Sequence, residues 1–173
     1  LSNGSAAVDL YYGSQSESTS DVELADINGD GNIDIISAGQ GSNDEYSSGT
    51  GDGLSILLGN GDGTFQTPST FSISPNAPSG ADSEYGNDVE LADLNGDGVL
   101  DVVVAGSSNY SYGGTNGGIA VLLGDGLGGL ETAVNYASNI FQETSQDEYN
   151  STVVLGDVDN DGFIDILAGG GAG

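Results

Sequence analysis

Residues 93–101 read Asp93-Leu94-Asn95-Gly96-Asp97-Gly98-Val99-Leu100-Asp101. Side-chain oxygens stand at positions 1, 3, 5 and 9 of this stretch, and a glycine stands at position 6. The same frame recurs at 26–34 as DINGDGNID and at 157–165 as DVDNDGFID. Carboxylates held this close together repel one another unless a cation sits among them. Ca²⁺ takes six to eight oxygens at about 2.3–2.6 Å, and alternate residues of a tight loop can supply them. The frame therefore predicts three calcium loops. Their side-chain ligands are Asp26, Asn28, Asp30 and Asp34, then Asp93, Asn95, Asp97 and Asp101, then Asp157, Asp159, Asp161 and Asp165. At position 7, Asn32, Val99 and Phe163 would offer a backbone carbonyl. Gly31, Gly98 and Gly162 permit the sharp turn that points the oxygens inward. A single copy could be a solvated Asx-rich hairpin, but three copies in register favour the metal.

Working outward from the loops, the flanks are short β-branched runs of near-alternating polarity. VELAD precedes the first two loops, and IDII, LDVVVAG or IDILAG closes them. Position 12 is Ser37, Val104 and Ala168, so the glutamate of a helix–loop–helix calcium site is missing. Each loop is instead the tip of a β-hairpin. A second element, LSILLGNGDGTF at 54–65, recurs as IAVLLGDGLGGL at 119–130 and in outline as AVDLYYG at 7–13. Within one unit, strand A enters the metal loop, B leaves it, C is the LLG strand and D follows its Gly-rich turn. In that notation the predicted order is C 7–12, A 21–26, B 33–38, C 54–58, D 65–73, A 88–93, B 99–105, C 119–123, D 130–140, A 152–157 and B 163–168. The predicted organisation is residues 1–20 as an N-terminal strand for a neighbouring unit, 21–80 as repeat 1, 81–145 as repeat 2 and 146–173 as an incomplete repeat 3. No segment has sustained helical periodicity. Hairpins recurring at this spacing suggest propeller blades or a related sheet array.

DVELADLNGDGVLDVVVAG followed by LLGNGDGTFQ resembles FG-GAP/VCBS repeats, the blades of integrin α-chain β-propellers and of large secreted microbial adhesins. The resemblance covers about residues 7 to 170. It implies an all-β fold of tandem four-stranded antiparallel blades, with Ca²⁺ held in each A–B hairpin loop by the twelve residues named above. The Phe-Gly that opens such repeats is absent, and the closing Gly-Ala-Pro is reduced to Ser37-Ala38-Gly39, Ala105-Gly106 and Ala168-Gly169. Rings of this kind typically need at least four blades. This chain has fewer than three, so an open array rather than a closed propeller is expected.

Composition excludes much else. The 173 residues include no Lys, Arg, His, Cys, Met or Trp, and the net charge is −27. Nucleic-acid binding needs cationic side chains to displace phosphate counterions, and there are none. Zinc sites of the usual kind, Ser-His-Asp catalysis and disulfides are excluded with His and Cys. No apolar run approaches a membrane span. A polyanion of this size repels itself in the compact state, and bound divalent cations offset that. The absence of Met predicts a mature or trimmed chain, and export to an extracellular or cell-surface location fits the supply of calcium there.

Glu17, Glu84 and Glu148 each stand nine residues before the first Asp of a loop. They are either solvated loop residues or a candidate second cation site per unit. Asn3, Asn109 and Asn150 open N-x-S/T sequons in predicted loops or tails, and so are candidate glycosylation sites with glycans as partners. Tyr11 and Tyr12, on a predicted strand, read as packing residues rather than as a carbohydrate platform. The expected function is a non-catalytic calcium-binding structural protein that assembles with itself, head to tail, into a filament. In this reading strand 7–12 completes the terminal A–B hairpin of the preceding subunit. The alternatives are a fragment of a calcium-stabilised propeller adhesin or ligand-binding head and, more remotely, a carboxylate-pair glycoside hydrolase.

Overall fold

Backbone groups of a Gly- and Ser-rich chain with little apolar surface are best satisfied by strand ladders whose apolar faces stack. A computed structural model describes residues 18–40, 53–73, 81–110, 114–137 and 150–171. Among them there is no helix. The strands are β1 (Ser18–Ala25), β2 (Asp34–Gln40), β3 (Leu54–Leu57), β4 (Ser69–Phe71), β5 (Ala81–Ala92), β6 (Asp101–Tyr110), β7 (Gly114–Leu122), β8 (Val134–Ala137), β9 (Asn150–Gly156) and β10 (Asp165–Gly171).

Every pairing is antiparallel and, apart from one contact of β2 with β5, joins consecutive strands of one unit. β1–β2–β3–β4 forms the first four-stranded blade and β5–β6–β7–β8 the second. β9 and β10 form a separate two-stranded sheet. The two blades touch through the backbone at a single pair, Gln40 with Tyr85. No closed barrel or propeller ring forms among the described residues. The predicted A, B, C and D strands of the two complete units are all present, as is the A–B hairpin of the third. The predicted strand at 7–12 lies outside the described residues.

Blades stack face to face because strand side chains alternate. One cluster joins the first two blades: Ile36, Leu54 and Ile56 of the first pack with Val89, Val102, Val104 and Leu122 of the second. The opposite face of the second blade, Val103, Ala105 and Ile119, packs on Val153 of the third unit. The relation between units one and two is thus repeated between two and three. At the ends of the stack it is unfulfilled. Val22 is 38% exposed, although Val89 and Val153 at the same place in their units are 1% exposed. Leu167 is 44% exposed, whereas its equivalents Ile36 and Val103 are at 0%.

Three predictions about local structure are corrected. Between the predicted B strand 99–105 and C strand 119–123 the ladder continues: Gly106–Tyr110 pairs with Ala81–Gly86 on one side and with Gly114–Gly118 on the other. Backbone hydrogen bonds hold this extension, so its Gly, Ser and Asn residues carry no hydrophobic period to read. Glu84 and Asn109, expected in loops, therefore lie in β5 and β6, opposite Ser108 and Ser83 respectively. Asn150 likewise opens β9, opposite Gly171. The D strands are shorter than predicted. Each hairpin first closes with one bridge, Gly59 to Phe65 or Gly124 to Leu130, and regular pairing resumes only at β4 and β8. In the first unit Pro68 intervenes, and proline has no N–H to donate to a ladder.

Candidate metal centres

The three A–B loops share one internal wiring. In the first, Asp26 accepts the N–H of Asp30 on Oδ1 (3.0 Å) and that of Gly31 on Oδ2 (2.8 Å). Asp93 does the same for Asp97 (3.1 Å) and Gly98 (2.8 Å), and Asp157 for Asp161 (3.1 Å) and Gly162 (3.0 Å). The position-5 carboxylates Asp30, Asp97 and Asp161 each accept the position-7 N–H at 2.8 Å. These bonds roll the backbone so that alternate side chains converge. The roll needs positive φ at two places. Gly31, Gly98 and Gly162 have φ of 89, 86 and 90°. Position 4 is left-handed as well: Gly29 at 71°, Gly96 at 78° and Asn160 at 62°. Asparagine is the ordinary residue that best tolerates this conformation. Sequence reading found position 6 and missed position 4, although Gly-Gly-Asn at that position was the signal.

The position-9 carboxylates do more than face the loop. Asp34 and Asp101 are fully buried. Asp34 accepts Ile27 N–H on Oδ2 (3.0 Å) and Gly59 N–H on Oδ1 (2.7 Å). Asp101 accepts Leu94 N–H (2.9 Å) and Gly124 N–H (2.9 Å) in the same way. Each therefore ties its A–B loop to the C–D hairpin of the same blade. Asp165 accepts Val158 N–H (3.0 Å), and among the described residues no C–D hairpin supplies the second donor.

The oxygens of Asp157, Asp159 and Asp165 lie within 4.8 Å of one another. Two ligands of one Ca²⁺ at about 2.3–2.6 Å stand at most about 5 Å apart, so this cluster can hold such an ion. In the first two loops the position-3 residue is an amide, and Asn28 Nδ2 and Asn95 Nδ2 reach the position-5 carboxylates at 3.1 and 2.9 Å. The Asn32 N–H and the Asn28 amide hold the Asp30 carboxyl below the usual carboxylate range, so it stays ionised. With Asp159 in place of the amide, the third loop carries one more formal charge. Val99 and Phe163 occupy position 7 as expected, with their N–H groups turned to Asp97 and Asp161. Glu84 lies on β5 and not in a loop. Glu17, Glu148 and Asn3 lie outside the described residues, and the side chains of Glu84, Asn109 and Asn150 are not among those described.

A family model for the FG-GAP-like repeat matches residues 26–104. This segment belongs to the FG-GAP-like repeat family. The match begins at Asp26, the first residue of loop one, and runs through loop two into β6, so it spans one full repeat period. The FG-GAP-like repeat thus accounts for the hairpin loops and the four-stranded blade. No curated protein matches the chain.

A second set of carboxylates was missed in the sequence. Asp21 Oδ2 accepts the N–H of Val89 (3.1 Å), one unit ahead. Asp88 Oδ2 accepts the N–H of Val153 (2.7 Å) and the hydroxyl of Thr152 (2.6 Å), again one unit ahead. The near-identity of DVELAD at 21–26 and 88–93 was the available signal. Burial alone would raise the Asp88 carboxyl, but hydrogen bonds from Thr152, Val153 and Val89 outweigh it and hold the group below its ordinary value. Glu90 goes the other way, raised by burial and by the charges of Glu23, Asp88 and Asp21. The sign for stability follows from the direction. The Asp88 contribution is present above the unfolded carboxylate value of about 3.9 and is lost as pH falls through the lower folded value. Glu90 costs stability above its raised folded value, and acidification through that value relieves the cost. Asp88→Ala is expected to lower unfolding stability by about 2 kcal/mol, because two donors lose a charged acceptor. Urea titrations at pH 7 and pH 3 measure this. The loss should be much smaller at the lower pH.

Proposed function

We propose that this chain is an extracellular, non-catalytic, calcium-stabilised repeat protein that assembles head to tail into a filament by strand addition. The observation that carries the reading is the third unit. Its A–B hairpin repeats the metal loop and stacks on the second blade through Val153, yet no C strand covers β10 among the described residues, and Leu167 is exposed. A strand from a neighbour would supply both hydrogen bonds and burial. The blade relation is heterologous, the far face of one unit against the near face of the next. A contact of that kind that does not close makes a filament. Val22 at one end and Leu167 at the other fit this direction of growth.

Calcium enters as the counter-charge. The regularly placed loop carboxylates are assigned to the three loops, which repeat alike, whereas a catalytic carboxylate pair would make one unit deviate. FG-GAP-like repeats are typically structural or binding modules, and millimolar calcium outside cells would keep the loops filled.

Negative-stain electron microscopy and light scattering of the purified chain in 2 mM Ca²⁺ and in excess EDTA test this directly. Fibres in calcium that dissolve in chelator are expected. A chain that stays monomeric at high concentration in calcium would instead fit an adhesin or ligand-binding head.

A further inference from the structure

The inner geometry of the two complete blades specifies what the third must receive. In each, a C strand runs antiparallel to the B strand and ends in a glycine. Ile35, Ile36 and Ser37 oppose Leu57, Ile56 and Ser55, and Val102, Val103 and Val104 oppose Leu122, Val121 and Ala120. Two residues beyond Leu57 and Leu122, the glycine N–H closes on the position-9 carboxylate: Gly59 on Asp34 and Gly124 on Asp101. That residue cannot carry a side chain. A Cβ on Gly59 would strike the Ile33 carbonyl oxygen, and one on Gly124 would strike that of Leu100. The incoming strand must therefore be an alternating apolar run that ends in Gly, two residues past the one facing Ile166.

Among the segments outside the described residues, 7–13 (AVDLYYG) has this pattern. Segments 41–52, 74–80 and 138–149 lack an apolar run of that length ending in glycine. We infer that Gly13 of a second copy of this chain docks on Asp165, its N–H donated to Asp165 Oδ1 and its α-carbon against the Ile164 carbonyl. The inference rests on the assembly reading above and adds its register. By the spacing in the first two blades, Tyr11 opposes Ile166, Leu10 opposes Leu167 and Asp9 opposes Ala168. Leu10 then covers the face on which Leu167 is exposed, as Ile56 and Val121 do for Ile36 and Val103. The chain that follows Gly13 leads in a few residues to β1, whose Val22 faces the blade so completed. A copy in trans is favoured over residues 7–13 of the same chain by that short connection. Only four residues lie between Gly13 and Ser18, and β1 is stacked two units away from β10, on the far side of the second blade.

The chain has no cysteine, so a designed pair reports this contact alone. Asp9→Cys with Ala168→Cys, oxidised in calcium, should give a disulfide-linked ladder of dimers, trimers and larger species on a non-reducing gel. Asp9→Cys with Leu167→Cys, one residue out of register and on the opposite face, should give far less. Adding Gly13→Val to the first pair should abolish the ladder. Melting in calcium then checks that the Gly13→Val chain is still folded and still loses stability in EDTA. A disulfide confined to single chains, or a ladder that survives Gly13→Val, overturns the inference. If the unmodified chain forms fibres while the first pair gives no ladder, this junction is wrong and assembly stands. If the unmodified chain forms no fibres, the assembly reading itself falls.

Discussion

Stripping calcium is expected to lower the melting temperature of this chain by about 15 °C or more. The argument starts from the loops. Each gathers three or four carboxylates with no cationic side chain anywhere in the sequence to balance them. At free calcium near 100 times the dissociation constant, a site that binds only the folded state adds about 2.7 kcal/mol. Three sites together add roughly 8 kcal/mol, comparable with the whole stability of an ordinary domain. For a chain of this size each kcal/mol moves the midpoint by about 2–4 °C. Differential scanning calorimetry in 2 mM Ca²⁺ and in excess EDTA reads the shift. Magnesium should restore little of it, because it demands tighter octahedral geometry and gives up water reluctantly. A midpoint that does not move in chelator would remove calcium from the account.

Asp101→Ala should be among the most damaging single substitutions, with Asp34→Ala, at roughly 3–5 kcal/mol even without metal. The side chain is fully buried and holds the N–H groups of Leu94 and Gly124, so its loss orphans two part-buried donors. It also uncouples the A–B loop from the C–D hairpin and removes one proposed calcium ligand from the second loop. Urea titrations in calcium and in EDTA separate these contributions. The portion that persists in EDTA measures the hydrogen bonds, and the remainder measures the ion. Asp165→Ala offers the internal comparison, since that carboxylate holds only Val158 among the described residues and is less buried. Its effect on the isolated chain should be well under half. Equal losses at the two positions would mean that the tie to the C–D hairpin contributes nothing.

The blades and their loops were legible because both are local. A nine-residue frame with Asp, Asn and Gly at fixed places dictates its own turn, and alternating β-branched runs on either side can only pair across it. What was not legible acts at a distance. Asp34 and Gly59 are separated by 25 residues, and Asp88 and Val153 by 65. Nothing in DVELAD distinguishes a carboxylate that caps the next unit from one that faces water. The reading of Asp34 and Asp101 as ligands alone also missed their hold on the C–D turn, because a ligand and an N–H acceptor are the same letter. The long β5–β6 ladder was hidden for a different reason. Its outer half is built mostly from Gly, Ser, Asn and Tyr with Asp82 and Glu84, residues whose pattern carries no core, so only the paired backbone reveals it.

The forward-pointing carboxylates give the stack a direction in time as well as in space. Asp21 holds unit two and Asp88 holds unit three, while each unit otherwise touches only its neighbours, so cooperativity is one-dimensional. Among the described residues the last hairpin has a neighbour on one side only, and its opening breaks the fewest bonds. Amide hydrogens of β9 and β10 should therefore exchange first, with those of β6, enclosed between two stacked units, exchanging last. In the assembly proposed above, this fraying end is also the one that accepts a new strand, so rapid exchange in β9 and β10 would persist only at the exposed tip of a fibre.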